Sequence, residues 1–260
     1  MEIQCVTRNL GRRTRSREWI ERLYDSEAAA PHLALLQELP AGPLSLPDHI
    51  VALPETPTAV ASRGCRSALL IDRNVLTPAG RAEYLNEVIL GSYIARADVT
   101  TASGGPLSVL SVHASPNPLT PEHQAMVSAE RLRRRAERHP WYADVIADEL
   151  VRLLPTIRPG HVLVAGDFNE AYGWDTKYGT DSCAEFFGRL ADRSYVDATR
   201  AAWPEEVTTQ TAQPYQVDRI FGSDGLEVRL SADPKLCFGA DDGLSDHLPI
   251  TFTVAVPPRP

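Results

Sequence analysis

His161-Val162-Leu163-Val164-Ala165-Gly166-Asp167-Phe168-Asn169 carries the clearest structural signal in the chain. A short apolar, β-branched run of strand length delivers an acid and an amide where it leaves the core. Residues two apart on an extended chain point to the same side, so Asp167 and Asn169 can address one ligand together. The same grammar recurs outward from it. Ile3 to Asn9, Leu33 to Glu38, and Leu107 to His113 each run from apolar residues into one reactive polar side chain. Strands that end this way predict a shared pocket.

Bulk composition narrows the partners. With 260 residues and 43% hydrophobic content the chain can bury a sizeable core. Its 26 basic against 34 acidic residues give a net charge of −8, which disfavours broad coating of a polyanion but leaves room for a local basic track. Cys5, Cys65, Cys183 and Cys237 are far apart without paired metal-type spacing, so they read as buried thiols in a reducing cytoplasm. Met1-Glu2-Ile3-Gln4 enters a strand-like pattern at once and no apolar run reaches membrane-spanning length, so a soluble, unprocessed chain is expected. Lys177 and Lys235 are the only lysines, an arginine bias that reads as genomic composition.

Periodicity and punctuation place the elements. Thr14–Tyr24 spaces Trp19, Ile20, Leu23 and Tyr24 as an amphipathic helix does. Strands are predicted at Leu33–Glu38, His49–Leu53, Ser67–Ile71 and Glu87–Thr100, and Ser103-Gly104-Gly105 turns the chain into Leu107–His113, a largely antiparallel meander. Pro121 suits a helix start, with helices predicted over Glu122–Arg138 and Tyr142–Leu154. After His161–Asp167 come a short helix at Asp181–Leu190 and closing strands at Gln216–Phe221, Leu226–Leu230 and Ile250–Val254. No linker or internal repeat divides the chain, so one domain over residues 1–260 is expected, an α/β sandwich of sheets covered by helices.

Several polar residues suit phosphoester chemistry, each beside an ordinary alternative. Glu38 can anchor a hard divalent ion, which takes oxygen ligands and keeps several waters; a charged strand end is the alternative. Asp167 can orient or deprotonate water while Asn169 offers a donor and an acceptor, or the two form an Asx turn. Asp246-His247 precedes a strand, and Asp218 is a candidate carboxylate to support that imidazole. His113 can donate to a phosphate oxygen or be a satisfied core histidine. Asn9 can bond a metal ligand or simply form a turn.

Taken in order, Asn9, Gln37-Glu38, His113, Gly166-Asp167-Phe168-Asn169, Val217-Asp218-Arg219-Ile220-Phe221 and Ser245-Asp246-His247 resemble the endonuclease/exonuclease/phosphatase superfamily over nearly the whole chain. The resemblance implies a four-layer, deoxyribonuclease I-like sandwich, with two central mixed β-sheets flanked by helices. It also implies phosphoester cleavage dependent on Mg²⁺, with Mn²⁺ as the alternative ion. By matched position, Glu38 holds the metal with help from Asn9 and Asp246, and Asp167 and Asn169 position and activate water. His113 contacts phosphate, and the Asp218-supported His247 stabilises charge or assists proton transfer. Several carboxylates in one site repel one another until a metal offsets that cost.

Substrate contacts are read from chain position. Arg12 and Arg13, with Arg15 and Arg17, follow the first strand and can track phosphates; Arg131, Arg133, Arg134, Arg135 and Arg138 spread around a helix, as a solvated face does. Tyr172, Trp174 and Tyr178 can stack on bases or a headgroup, or pack as ordinary loop residues. The expected function is a metal-dependent nuclease acting on nucleic acid. The alternatives are a phosphatase or phosphodiesterase acting on a lipid or small-molecule phosphate, and a catalytically silent binding protein on the same scaffold.

Overall fold

Side-chain alternation along the strands organises the centre of the molecule. The computed structural model describes residues 2–11, 16–25, 30–40, 44–54, 65–85, 93–115, 117–127, 142–157, 160–179, 181–211, 214–238 and 244–258. The first half contains β1 (Glu2–Asn9), α1 (Ser16–Tyr24), β2 (Leu33–Pro40), β3 (Ile50–Leu53), β4 (Cys65–Asp72), β5 (Leu76–Tyr84), β6 (Ile94–Thr101), β7 (Pro106–His113) and α2 (Pro121–Met126). Next come α3 (Tyr142–Leu153), which runs into a 3₁₀ turn at Leu154–Thr156, β8 (His161–Asp167), α4 (Tyr172–Tyr178) and α5 (Ser182–Ala191). The chain closes with β9 (Tyr195–Asp197), α6 (Ala198–Ala202), β10 (Asp218–Ser223), β11 (Glu227–Arg229), α7 (Pro234–Cys237) and β12 (Ile250–Ala255). Among the described residues no helix is long and apolar enough to cross a membrane.

The strands form two six-stranded mixed sheets, ordered β11-β12-β1-β2-β4-β3 and β5-β6-β7-β8-β10-β9. Each has one parallel pair at its centre, β1 with β2 and β7 with β8, and is otherwise antiparallel. Between the sheets lies a core of Ile3, Cys5, Leu33 and Leu35 against Leu107, Val109, Leu163, Ala165 and Ile220. The residues one step out of phase face the helices. Val6, Ala34 and Leu36 meet Trp19, Ile20 and Tyr24 of α1. Leu110, Val112, Val162 and Val164 meet Ile146 and Leu150 of α3 and Phe186 and Leu190 of α5. Helix, sheet, sheet, helix are the four layers. Each fully buried aliphatic side chain contributes roughly 1.5–3 kcal/mol, so a truncation such as Leu163→Ala costs about 2–5 kcal/mol.

Departures from the sequence reading have local causes. The meander is divided: β3 and β4 belong to one sheet, β5, β6 and β7 to the other. Strand β5 carries no sequence signal, because its residues from Thr77 to Arg81 and beyond are exposed at a sheet edge and show no apolar alternation. The strand predicted over Glu87–Thr100 is Ile94–Thr101, with 86–92 outside the described residues. The helix predicted over Glu122–Arg138 is described as α2, capped by the Thr120 hydroxyl accepting from His123 N–H, and 128–141 lie outside the described residues. Tyr172–Tyr178, read as loop, is helical because Glu206 accepts both leading N–H groups, from Tyr172 and Gly173, each at 2.8 Å.

Candidate active site

At one edge the inter-sheet core turns polar strand by strand. Ile3 and Cys5 are followed in phase by Thr7 and Asn9, Leu33 and Leu35 by Gln37, Leu107 and Val109 by Ser111 and His113, and Leu163 and Ala165 by Asp167. These are the carboxyl ends of the two parallel pairs. Register then aligns three site residues across one sheet: His113 pairs with Asp167, and Asp167 with Asp218. Gly166 permits the close spacing, since a Cβ there would lie 2.0 Å from the Val112 carbonyl oxygen at a φ of +147°.

Asp167 is the hub. Its Oδ2 accepts from Asn9 Nδ2 and from Asn169 Nδ2, both at 2.8 Å, and its Oδ1 accepts from the Asn169 backbone N–H at 2.9 Å. Asn169 reaches back through a left-handed backbone, φ +44°, that Asn tolerates better than most side chains. The Nε2 atoms of His247 and His113 stand 3.8 and 3.9 Å from the same Oδ2, too far for a direct hydrogen bond but within reach of a bridging oxygen. His247 Nδ1 lies 2.9 Å from Asp218 Oδ2, the supporting pair expected from the sequence. Asp167, Asp218, His113 and His247 are all buried.

Glu38 reaches this side against the phase of its strand. By simple alternation it would face α1, but the register of β2 against β4 shifts between Leu36 and Leu39, and Glu38 takes φ +53°. Its Oε1 then lies 3.2 Å from His113 Nε2. Beneath it, fully buried Gln37 donates from Nε2 to the Leu35 carbonyl and to Ser111 Oγ, both at 3.0 Å, while Ser111 Oγ donates to the Leu36 carbonyl. This bridge ties the sheets together directly under the site.

The segment Ser245-Asp246-His247 closes the fourth side. Ser245 Oγ donates to the Asn9 carbonyl at 2.7 Å, which docks it beside β1. Thr209-Gln210-Thr211, a segment with no motif or periodic signal, holds it from the other flank through a bridge between Gln210 and His247. Buried Thr209 also accepts at Oγ1 from the Val217 and Asp218 N–H groups. Gln37 had a signal, a polar residue in the inward phase of an apolar strand; Gln210 had none.

Burial pushes the Asp167 carboxyl above the ordinary carboxylate range, and Asp218 adds to that; His247, His113 and the Asn9 hydrogen bond act in the opposite direction. Burial alone would lower the His247 imidazole. The charges of Asp218 and Asp167, the Asp218 hydrogen bond and Asp246 outweigh it and raise the group to about 10. The surrounding carboxylates therefore favour an imidazolium at His247.

The donor set suits a hard divalent ion. Among the described residues, Asp167, Asp218 and His247 bring ligand atoms within 4.8 Å of one another. A cation inside that trio would break hydrogen bonds already made, whereas Glu38 and Asp246 are only partly buried and leave room for the waters such an ion keeps. Among the described residues the buried Asp218 Oδ1 makes no hydrogen bond, so polar capacity remains on this face.

The expected substrate contacts fare differently. Arg12, Arg13 and Arg15 lie outside the described residues, as does the arginine cluster from Arg131 to Arg138. The Tyr172 ring is half-buried, 4.9 Å from Phe187 and covered by Arg200 at 4.0 Å. Trp174 meets Tyr215 edge to face at 5.8 Å. Tyr178 is exposed, with Lys177 over its ring.

This architecture is shared with solved structures. The endonuclease domain of TRAS1, a telomere-specific non-LTR retrotransposon, matches with a TM-score of 0.60 at 16% identity, over 98% of this chain and 99% of that one. The AP endonuclease LMAP from Leishmania major matches with a TM-score of 0.61 at 14% identity, over 98% and 88%. TDP2 from D. rerio, complexed with single strand DNA product, matches with a TM-score of 0.55 at 15% identity, over 98% and 99%. No curated protein sequence matches the chain. The sequence model of the Endonuclease/Exonuclease/phosphatase family matches residues 6–247, from β1 to His247. With that span and this fold, the chain belongs to the Endonuclease/Exonuclease/phosphatase family.

Proposed function

We propose that the protein is a divalent-metal-dependent hydrolase that cleaves phosphodiester bonds with water, and that its substrate is nucleic acid. The observation that carries this reading is the setting of Asp167, a buried carboxylate gripped by two asparagines between two imidazoles. A satisfied structural aspartate needs no such company.

Glu38 and Asp246, with the Asn9 amide oxygen, are the residues assigned to hold the ion, Mg²⁺ or Mn²⁺. A bound divalent cation supplies Lewis-acid polarisation of the phosphoryl oxygen and offsets the site's negative charge. Asp167, its proton affinity raised by burial, takes a proton from the attacking water, and Asn169 orients that water. The water oxygen bonds to phosphorus as the bond to the leaving oxygen breaks. His247, held as imidazolium by Asp218, donates from Nε2 toward the negative charge that develops on phosphorus oxygens, and His113 assists from the other side.

Nucleic acid is favoured because two of the similar structures are endonucleases and a third holds a single strand DNA product. A net charge of −8 argues for local contact with a strand rather than broad coating. A reducing cytoplasm belongs to the same reading, since Cys5, Cys183 and Cys237 are free and buried.

The test is a substrate panel of single- and double-stranded DNA, RNA, sphingomyelin and inositol phosphates, with Mg²⁺ or with EDTA. Metal-dependent cleavage of nucleic acid that falls by ~10²–10⁴-fold in Asp167→Ala is the expected result. Turnover confined to the lipid or inositol arm would replace the substrate, and EDTA-resistant turnover would remove the mechanism.

A further inference from the structure

Asp246 presents an asymmetric carboxylate. Its Oδ2 accepts from Gln210 Nε2 at 3.2 Å, while its Oδ1 lies over Gly11, 3.3 Å from where a Cβ on that residue would stand and two residues beyond Asn9. The main chain around it is gripped independently. Thr211 N–H donates to the Asp246 carbonyl at 2.6 Å, the Thr211 hydroxyl donates to the same oxygen at 3.2 Å, and Leu248 N–H donates to the Thr209 carbonyl at 2.9 Å. The backbone contacts set where Asp246 is. Among the side-chain hydrogen bonds of this segment, the one from Gln210 sets which oxygen it turns outward.

The chemistry of the donor matters. A carboxylate that rotates freely offers either oxygen and loses rotamer entropy when an ion fixes it. An Arg or Lys would fix it too, but would neutralise the charge a cation needs. A primary amide fixes one oxygen and leaves the full negative charge in place. Gln210 is itself only partly buried, so its side chain is not needed to fill the core.

From this juxtaposition we propose that Gln210 is a positioning residue for the cation: by holding Oδ2 of Asp246 it turns Oδ1 toward the Asn9 side of the site, where Asp246 would hold a divalent ion. The inference rests on the reading above that Asp246 is a metal ligand. In this role the Gln210 side chain acts on the ion through the Asp246 carboxylate.

The experiment measures Mn²⁺ binding by calorimetry on the purified full chain, together with the Mg²⁺ dependence of turnover, for wild type, Gln210→Ala, Gln210→Lys and Asp246→Asn. Melting temperature in EDTA checks that each variant is folded. Gln210→Ala is expected to weaken Mn²⁺ binding and raise the Mg²⁺ requirement by ~10–100-fold, with kcat at saturating metal within about threefold of wild type. Gln210→Lys should weaken binding further, because it fixes Oδ2 and removes charge. Unchanged Mn²⁺ affinity in Gln210→Ala, with Asp246→Asn clearly weakened, overturns the positioning role and leaves the metal assignment standing. Unchanged affinity in Asp246→Asn overturns both. A fall in kcat of Gln210→Ala at saturating Mg²⁺ without any change in Mn²⁺ affinity also overturns it, by assigning Gln210 to substrate instead.

Discussion

Asn9 and Asp167 lie 158 residues apart in the chain and on different sheets, yet the Asn9 amide donates to Asp167 Oδ2 at 2.8 Å. This contact is both an inter-sheet tie and a support for the carboxylate assigned as base. Asn9→Ala leaves a buried acceptor short of one donor, at a cost of about 1.5–3 kcal/mol for a charged hydrogen bond. A fall in melting temperature of roughly 3–10 °C should accompany the loss of turnover. A variant with wild-type turnover would show that Asp167 needs no such support.

Metal dependence should separate Glu38 from Asp167. Glu38→Gln keeps the shape of the side chain and removes its charge, so the Mg²⁺ concentration for half-maximal rate is expected to rise by ~10-fold or more. Asp167→Asn should instead lower the rate at every metal concentration. Metal titrations of both variants make the comparison, and a Glu38→Gln curve that overlays wild type would displace Glu38 from the ion.

Alkaline pH should weaken the metal-free fold through His247. The group is raised from 6.5 to about 10 in the folded state, so protonation favours folding. Its contribution is complete below the unfolded value and is lost as pH rises through the folded one. Melting curves in EDTA should therefore fall between pH 6.5 and about 10 more steeply for wild type than for His247→Gln. Because other groups titrate in both proteins, only the difference between the curves carries the result; parallel curves would remove the Asp218–His247 charge pair as its cause.

Gly166 should tolerate no side chain. With a φ of +147° and a would-be Cβ 2.0 Å from the Val112 carbonyl, Gly166→Ala must push β7 from β8 at the residue before Asp167. A loss of at least ~3 kcal/mol is expected, read as an early thermal transition or insoluble expression. A melting temperature unchanged from wild type would mean that the strand pair yields at this point.

Much of this arrangement is written locally. The alternation Leu163-Ala165-Asp167 places Asp167 in the inward phase wherever the strand packs, and the same count applies from Ile3 to Asn9 and from Leu107 to His113. Helix α3 is legible because Val145, Ile146 and Leu150 recur at helical spacing and all are buried. Edge strand β5 is not, because pairing on one side only asks nothing of its exposed side chains. Helix α4 is equally hidden, since Glu206, 34 residues from Tyr172, secures its first turn.

Which side chains end the central strands, and which face of each strand they occupy, is encoded locally, because a period of two is set by neighbouring peptides alone. The inward turn of Glu38 comes instead from packing, through a register shift against β4. Packing likewise sets the contact by which Gln210 holds Asp246. Those outcomes depend on how two sheets and a distant segment pack, and packing brings together residues whose separation along the chain carries no periodic signal.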